Sequence, residues 1–153
     1  MTVRNRFHSA ILAAVCAVLK LWLWQLPLPR GQVLGGEAGV RLLRDPDVIV
    51  GIDVVYVSPE VVVRQTDDTT LIDGVPTLAV EILSPSDTVQ EINDKLALYR
   101  RAQVPLVWVI DPYVKTVTVH AAGSAPVLFS ITQELSAEPH LPGLRVPVSR
   151  LFE

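Results

Sequence analysis

The sequence predicts an α/β (α+β) domain built on a mixed central sheet flanked by helices, and three observations predict it. The segments "TLAVEIL" (77–83) and "VPLVWVID" (104–111) are near-continuous apolar runs of strand length, which suits a sheet centre covered on both faces. Between them, "SPSDTVQEINDKLALYRRAQ" signals a helix start at Ser86 or Asp87. Its apolar residues Val89, Ile92, Leu96 and Tyr99 recur at three- and four-residue spacing, so one face is expected to pack on the sheet. "KTVTVHA" (115–121) then alternates polar and apolar residues and pairs naturally with the preceding run across a Pro112-Tyr113 turn. The order helix, strands, helix, strands completes the pattern.

The other elements follow in chain order. A first helix is expected from about Phe7 to Gln25, stopped by "LPLPRG". "QVLGGEAGVRLL" (32–43) reads as a hairpin or bent strand pair turning at Gly35-Gly36. "RDPDVIVGID" reads as a connecting stretch, after which Asp53 opens a short strand, "DVVYV" (53–57). Residues 58–75 read as an irregular loop that ends in the turn signal "DGVP". "PVLFSIT" (126–132) is one more strand before a loop and the apolar close "LRVPVSRLF". Tyr99 and Trp108 read as core aromatics, and Asp111 as the shaper of the turn before Pro112. There is no internal repeat, low-complexity tract or second-domain boundary, so residues 1–153 form one domain.

Composition narrows the classes. Half of the 153 residues are hydrophobic and 19% are charged, which predicts a folded chain. Thirteen basic and sixteen acidic residues give a net charge of −3, which argues weakly against tight nonspecific binding of nucleic acid. A single cysteine, Cys16, permits no intramolecular disulfide and reads as a packed, inert thiol. It is compatible with a reducing, cytoplasmic setting. At the N-terminus, Arg4 and Arg6 precede an apolar run that Lys20 interrupts; an export leader over 1–24 and a buried core helix are both open on these residues. Trp22 and Trp24, two apart, cannot face the same way on one helix, so one of them is expected to mark a partner surface, with a homodimer through the N-terminal helix.

Three ionisable residues sit where a bland core needs none. Asp53 lies on one strand, Glu81 near the end of another, and Lys95 about two turns into the helix that follows. If the strands are neighbours, the carboxylates converge at one end of the sheet, with Lys95 able to swing back over them. Two carboxylates and a lysine suit a hard divalent cation, Mg²⁺ or Mn²⁺, that activates water against a phosphoryl group. The bland alternatives are a turn-capping Asp53 and a surface Lys95 paired with Glu91 four residues earlier. Ser84 and Ser86 read as turn and cap residues. His8, His120 and His140 are dispersed and suggest no triad. No phosphate-binding glycine loop, zinc spacing or dinucleotide fingerprint is present.

"GIDVVYVSPE", "PTLAVEILSPSDT", "KLALYRRAQVPLVWVIDP", "TVTVH" and "LPGLRVPVSRLF" together resemble the Uma2 family, a restriction endonuclease-like branch of the PD-(D/E)XK nuclease superfamily. The resemblance runs from about His8 to the C-terminus. It implies a metal-dependent endonuclease acting on DNA, with Asp53 and Glu81 as metal ligands, the carbonyl of Ile82 as a further ligand and Glu37 as an extra one. The superfamily's strand lysine would stand at Leu83; the Uma2-like pattern implies that Lys95 on the next helix replaces it. The family's Pro before the first aspartate is Ile52 here, and "DPD" makes Asp47 the runner-up to Asp53. The resemblance favours the core helix over the leader, and hence no membrane partner. It also implies that the chain lacks a lead-in before that helix, so an inactive, truncated relative that binds nucleic acid or oligomerises is the alternative expectation.

Overall fold

Asn5 starts the first helix: its side-chain oxygen accepts the His8 N–H at 2.9 Å, satisfying one of the donors a helix N-terminus leaves free. In the computed structural model, which describes residues 3–153, helix α1 then runs Arg6–Leu23 and buries His8, Ile11, Val15, Leu19 and Trp22 along one stripe. By length and composition alone α1 could cross a membrane; in the fold this stripe lies on the sheet. Arg30 folds back to donate to the carbonyls of Leu26 and Trp24, using acceptors that the helix end leaves unpaired.

Strands β1 (Gln32–Leu43) and β2 (Val48–Val57) form an antiparallel hairpin. Here the structure departs from expectation. Residues 32–43 are one strand, and the hairpin turns at residues 44–47, so the stretch expected to be a connection supplies the first half of β2. Gly35-Gly36 marks a bulge, not a turn. Gly35 faces Val54 and Ala38 faces Ile52, so Gly36 and Glu37 together oppose Asp53. Both bulge residues are left-handed, at φ 91° and 58°. A bulge needs the same permissive backbone as a turn, which is why the glycine pair reads as either.

The expected loop over 58–75 holds a short helix α2 (Pro59–Val63) and a two-residue strand β3 (Ile72–Asp73) parallel to β1. Gln65 ties them together, donating to the Val61 and Asp73 carbonyls and accepting the Asp73 N–H. Strand β4 (Leu78–Ile82) pairs antiparallel with β2 and parallel with β5 (Leu106–Asp111). A parallel pair needs a crossover, and helix α3 (Val89–Arg101) supplies it. Antiparallel strands β6 (Thr116–Ala121) and β7 (Val127–Phe129) complete a seven-stranded mixed sheet in the order β3-β1-β2-β4-β5-β6-β7. Asp111 Oδ1 accepts the N–H groups of Tyr113 and Val114 in the β5–β6 turn. β7 is shorter than its apolar run, and a separate hairpin of β8 (Glu134–Ser136) and β9 (Arg145–Pro147) leads to a closing 3₁₀ turn.

The sheet separates two cores. One holds α1, the C-terminal segment and residues such as Val54, Leu78, Val80 and Trp108; the other lies under α2 and α3 and holds Val55, Val57, Ala79 and Tyr99. Trp22 meets Tyr56 edge to face, with centroids 5.1 Å apart, and donates its Nε1–H to the Pro142 carbonyl. Of the expected α3 stripe only Tyr99 is fully buried, while Val89 is 79% exposed. Val89 is the first residue of α3, and the helix meets the second core only further along, through Leu96, Leu98 and Tyr99.

Candidate active site

The β2–β4 ladder pairs Tyr56 with Leu78, Val55 with Ala79 and Val54 with Val80, and there it stops. The next residue on each strand is an acid, Asp53 on one and Glu81 on the other. Ile52 packs into the α3-side core and Val54 into the α1-side core, although two residues apart on a strand should share a face. The alternation breaks at Asp53, opposite the bulge, and that break re-aims its carboxylate. Asp53 Oδ2 accepts the Ile82 N–H at 2.9 Å, taking a β4 donor where the ladder has ended. Its other oxygen, Oδ1, lies 3.2 Å from Nε2 of His8, which reaches down from α1.

Glu81 is held from the opposite face. The turn after β4 is tightened by Asp87 Oδ2, which accepts the Ser84 N–H at 2.7 Å. Thr88 then starts α3 with a reciprocal cap: its Oγ1 accepts the Glu91 N–H and Glu91 Oε2 accepts its own. Glu91 is thereby committed to the cap, and Lys95 makes a different bond from the i, i+4 pair considered above. Its Nζ lies 3.0 and 3.1 Å from the two oxygens of Glu81 and 3.1 Å from the Gly51 carbonyl. One turn on, the Tyr99 hydroxyl donates to Glu81 Oε1.

Both carboxylates are taken out of water, Asp53 at 5% and Glu81 at 6% exposure. Burial pushes the Glu81 carboxyl above its ordinary range, the Lys95 ammonium and the Tyr99 hydroxyl pull it back down, and the Asp53 charge adds to the rise. Burial, together with Glu81, drives the Tyr99 hydroxyl far up, so it remains a hydrogen-bond donor at any physiological pH. Cys16, half-buried on α1, is likewise raised by burial and carries little thiolate.

Asp53, Glu81, Ile82, Lys95 and Glu37 line one open cleft of ≈ 430 Å³, which Arg4 also borders. Glu37 stands at its rim, half-exposed and ion-paired with Arg4. Asp47 is outside this lining, in the β1–β2 turn, 3.1 Å from Arg41. Sequence reasoning missed two residues of the constellation. Tyr99 was legible as a core aromatic, and its position four after Lys95 was the signal that both share a helix face. His8 continues the spacing of Ile11, Val15 and Leu19, so a titratable ring on an apolar stripe was its only mark.

No cluster of three or more His, Cys, Asp or Glu side chains able to share a metal occurs among the described residues. The two buried carboxylates offer oxygen donors, with Ile82 lining the same cleft, and a cation held by so few protein groups would keep much of its own water. That donor set suits Mg²⁺, which keeps several of its own waters.

Comparisons with known proteins agree with this architecture. The model of the Uma2 family, described as "Putative restriction endonuclease", matches residues 1–149. No curated protein matches the sequence. A solved structure described as a "putative nuclease belonging to DUF820", from Anabaena variabilis ATCC 29413, is similar with a TM-score of 0.83 and 17% sequence identity. The match covers 99% of this chain and 83% of that one, a likeness of fold.

Proposed function

The chain belongs to the Uma2 family, and from that membership and the paired carboxylates of the cleft we propose that it is a Mg²⁺- or Mn²⁺-dependent endonuclease that hydrolyses DNA phosphodiester bonds. The observation that carries the reading is the meeting of buried Asp53 and Glu81 with Lys95 at the point where β2 and β4 part. Buried carboxylates are costly unless paired; Lys95 and Tyr99 support Glu81, the Ile82 N–H and His8 support Asp53, and a divalent cation is a partner that the two acids could share.

Asp53 and Glu81 would hold the ion, with the Ile82 carbonyl as a third protein oxygen and Glu37 at the rim. When bound, such an ion polarises a phosphoryl oxygen and brings the pKa of its water towards neutrality. Lys95 is the cation of the site, its side chain 35% exposed and its Nζ 3.0 Å from Glu81 Oε1. From there the ammonium stabilises charge on the phosphate; to act as base on the attacking water, Nζ would first have to pass one of its own protons to solvent. Tyr99 keeps its proton and fixes Glu81 in one orientation. A cytoplasmic location fits the lone cysteine and the packing of α1, and a homodimer through the end of α1 would cover Leu21 and Trp24, each more than half exposed.

Plasmid nicking by purified protein in Mn²⁺, beside Glu81→Ala verified as folded by circular dichroism, tests the reading. Wild type should nick, EDTA should abolish it, and Glu81→Ala should lose it by at least about two orders of magnitude. Equal cleavage by both proteins would sink the site assignment. A second reading, an inactive relative that binds nucleic acid or oligomerises, is favoured by the acids on the cleft wall, where Asp87, Glu91 and Asp94 join the central pair. Glu81-dependent Mn²⁺ binding belongs to the first reading and its absence to the second.

A further inference from the structure

We propose that His8 is a positioning residue of this site, holding the Asp53 carboxylate in the orientation that a cation requires; the inference rests on the metal-dependent reading above. His8 is 2% exposed, in an apolar stripe where its neighbours along α1 are Ile11, Val15 and Leu19. A leucine there would fill the same space without bringing a polar ring out of water. Among the described residues the imidazole has one polar contact, and it is with a cleft carboxylate: Nε2 meets Asp53 Oδ1 at 3.2 Å, while Nδ1 is buried with no hydrogen-bond partner.

The geometry at Asp53 explains what that bond does. Oδ2 is fixed by the Ile82 N–H of β4, and Oδ1 by the imidazole of α1. One anchor alone leaves the carboxylate free to pivot about it; two anchors on different oxygens leave one orientation. The His8 main chain is pinned as well, since its N–H donates to Asn5 Oδ1 in the helix cap. The rigidity of a helix start is thus transmitted through one ring to a side chain on the sheet. Hydrogen-bonded partners behind metal ligands act in this way, and their removal typically weakens metal binding by roughly 10–100-fold.

The test pairs His8→Leu, which fills the space without a donor, with His8→Gln, which keeps a side-chain N–H at similar reach. Crystal structures report the Asp53 orientation, calorimetry reports Mn²⁺ affinity, and nicking kinetics separate kcat from KM. In His8→Leu, Asp53 should pivot about its remaining Ile82 N–H anchor so that Oδ1 leaves its wild-type place, Mn²⁺ affinity should fall about tenfold or more, and kcat should drop with little change in KM. His8→Gln should recover most of each. If Asp53 keeps its place in His8→Leu, or if Mn²⁺ affinity is unchanged there, the inference is overturned. If the wild type binds no Mn²⁺, the functional reading fails instead, and the orientation of Asp53 in His8→Leu still decides whether His8 positions it. Should His8→Leu not fold, a His8→Gln protein with wild-type Asp53 geometry and affinity supports the inference, and one lacking both overturns it.

Discussion

At the scale of single residues, the site is a balance of burial against pairing. Glu81 is an anion in a strand whose five residues are all buried, and it is tolerable there because three donor contacts converge on it, two from Lys95 and one from Tyr99. Tyr99→Phe removes one of these while leaving the ring's packing in place. Urea unfolding without metal should show a loss of about 1.5–3 kcal/mol, the range for a buried hydrogen bond to a charged group. A loss under about 0.5 kcal/mol would mean that Glu81 draws its support from Lys95 alone. Glu81 was legible from the sequence because an acid inside "LAVEIL" conflicts with its surroundings, and Lys95 because it follows on the next helix. His8 was not legible, since nothing in the spacing of positions 8 and 53 says that a helix start and a mid-strand acid will meet.

At the scale of elements, the bulge in β1 places the first acid. Gly36 and Glu37 insert one extra residue opposite Asp53, and the side-chain alternation of β2 changes there. A Cβ at Gly36 would meet nothing within 4 Å, so Gly36→Ala isolates the backbone cost of a residue at φ 91°. Thermal or urea unfolding should register about 1–2 kcal/mol of destabilisation. If the bulge instead gives way, Asp53 shifts and Mn²⁺ affinity falls with it; a variant with unchanged stability and affinity would show that the bulge is not what aims Asp53. The buried strands β4 and β5 and the helix between them were readable because length, apolar runs and capping signals agree. The β1–β2 hairpin was misread because two glycines in an extended segment satisfy turn and bulge equally. The choice falls to the pairing partner, which local pattern does not contain. Strand β3, two residues long, has too little pattern to be seen at all.

At the scale of the whole molecule, two helical layers close on the sheet from opposite sides. The apolar residues left outside them lie partly at the end of α1: Leu21, Trp24 and Leu28 are 57%, 59% and 78% exposed, while Trp22 is committed to the core. The homodimer proposed through this end predicts a two-subunit mass for the wild type in sedimentation equilibrium and a one-subunit mass for Trp24→Lys at the same micromolar concentration. A wild type that sediments as a single subunit removes that proposal without touching the cleft. The contact between Trp22 and Pro142 has a different consequence, one of timing. It joins positions 120 residues apart, so this one tether of α1 waits for the far end of the chain, while the packing of α1 on β1, β2 and β4 does not. α1 also meets Asp53 through His8, so one helix ties the far end of the chain to the cleft, Trp22 reaching Pro142 at one end and His8 reaching Asp53 at the other.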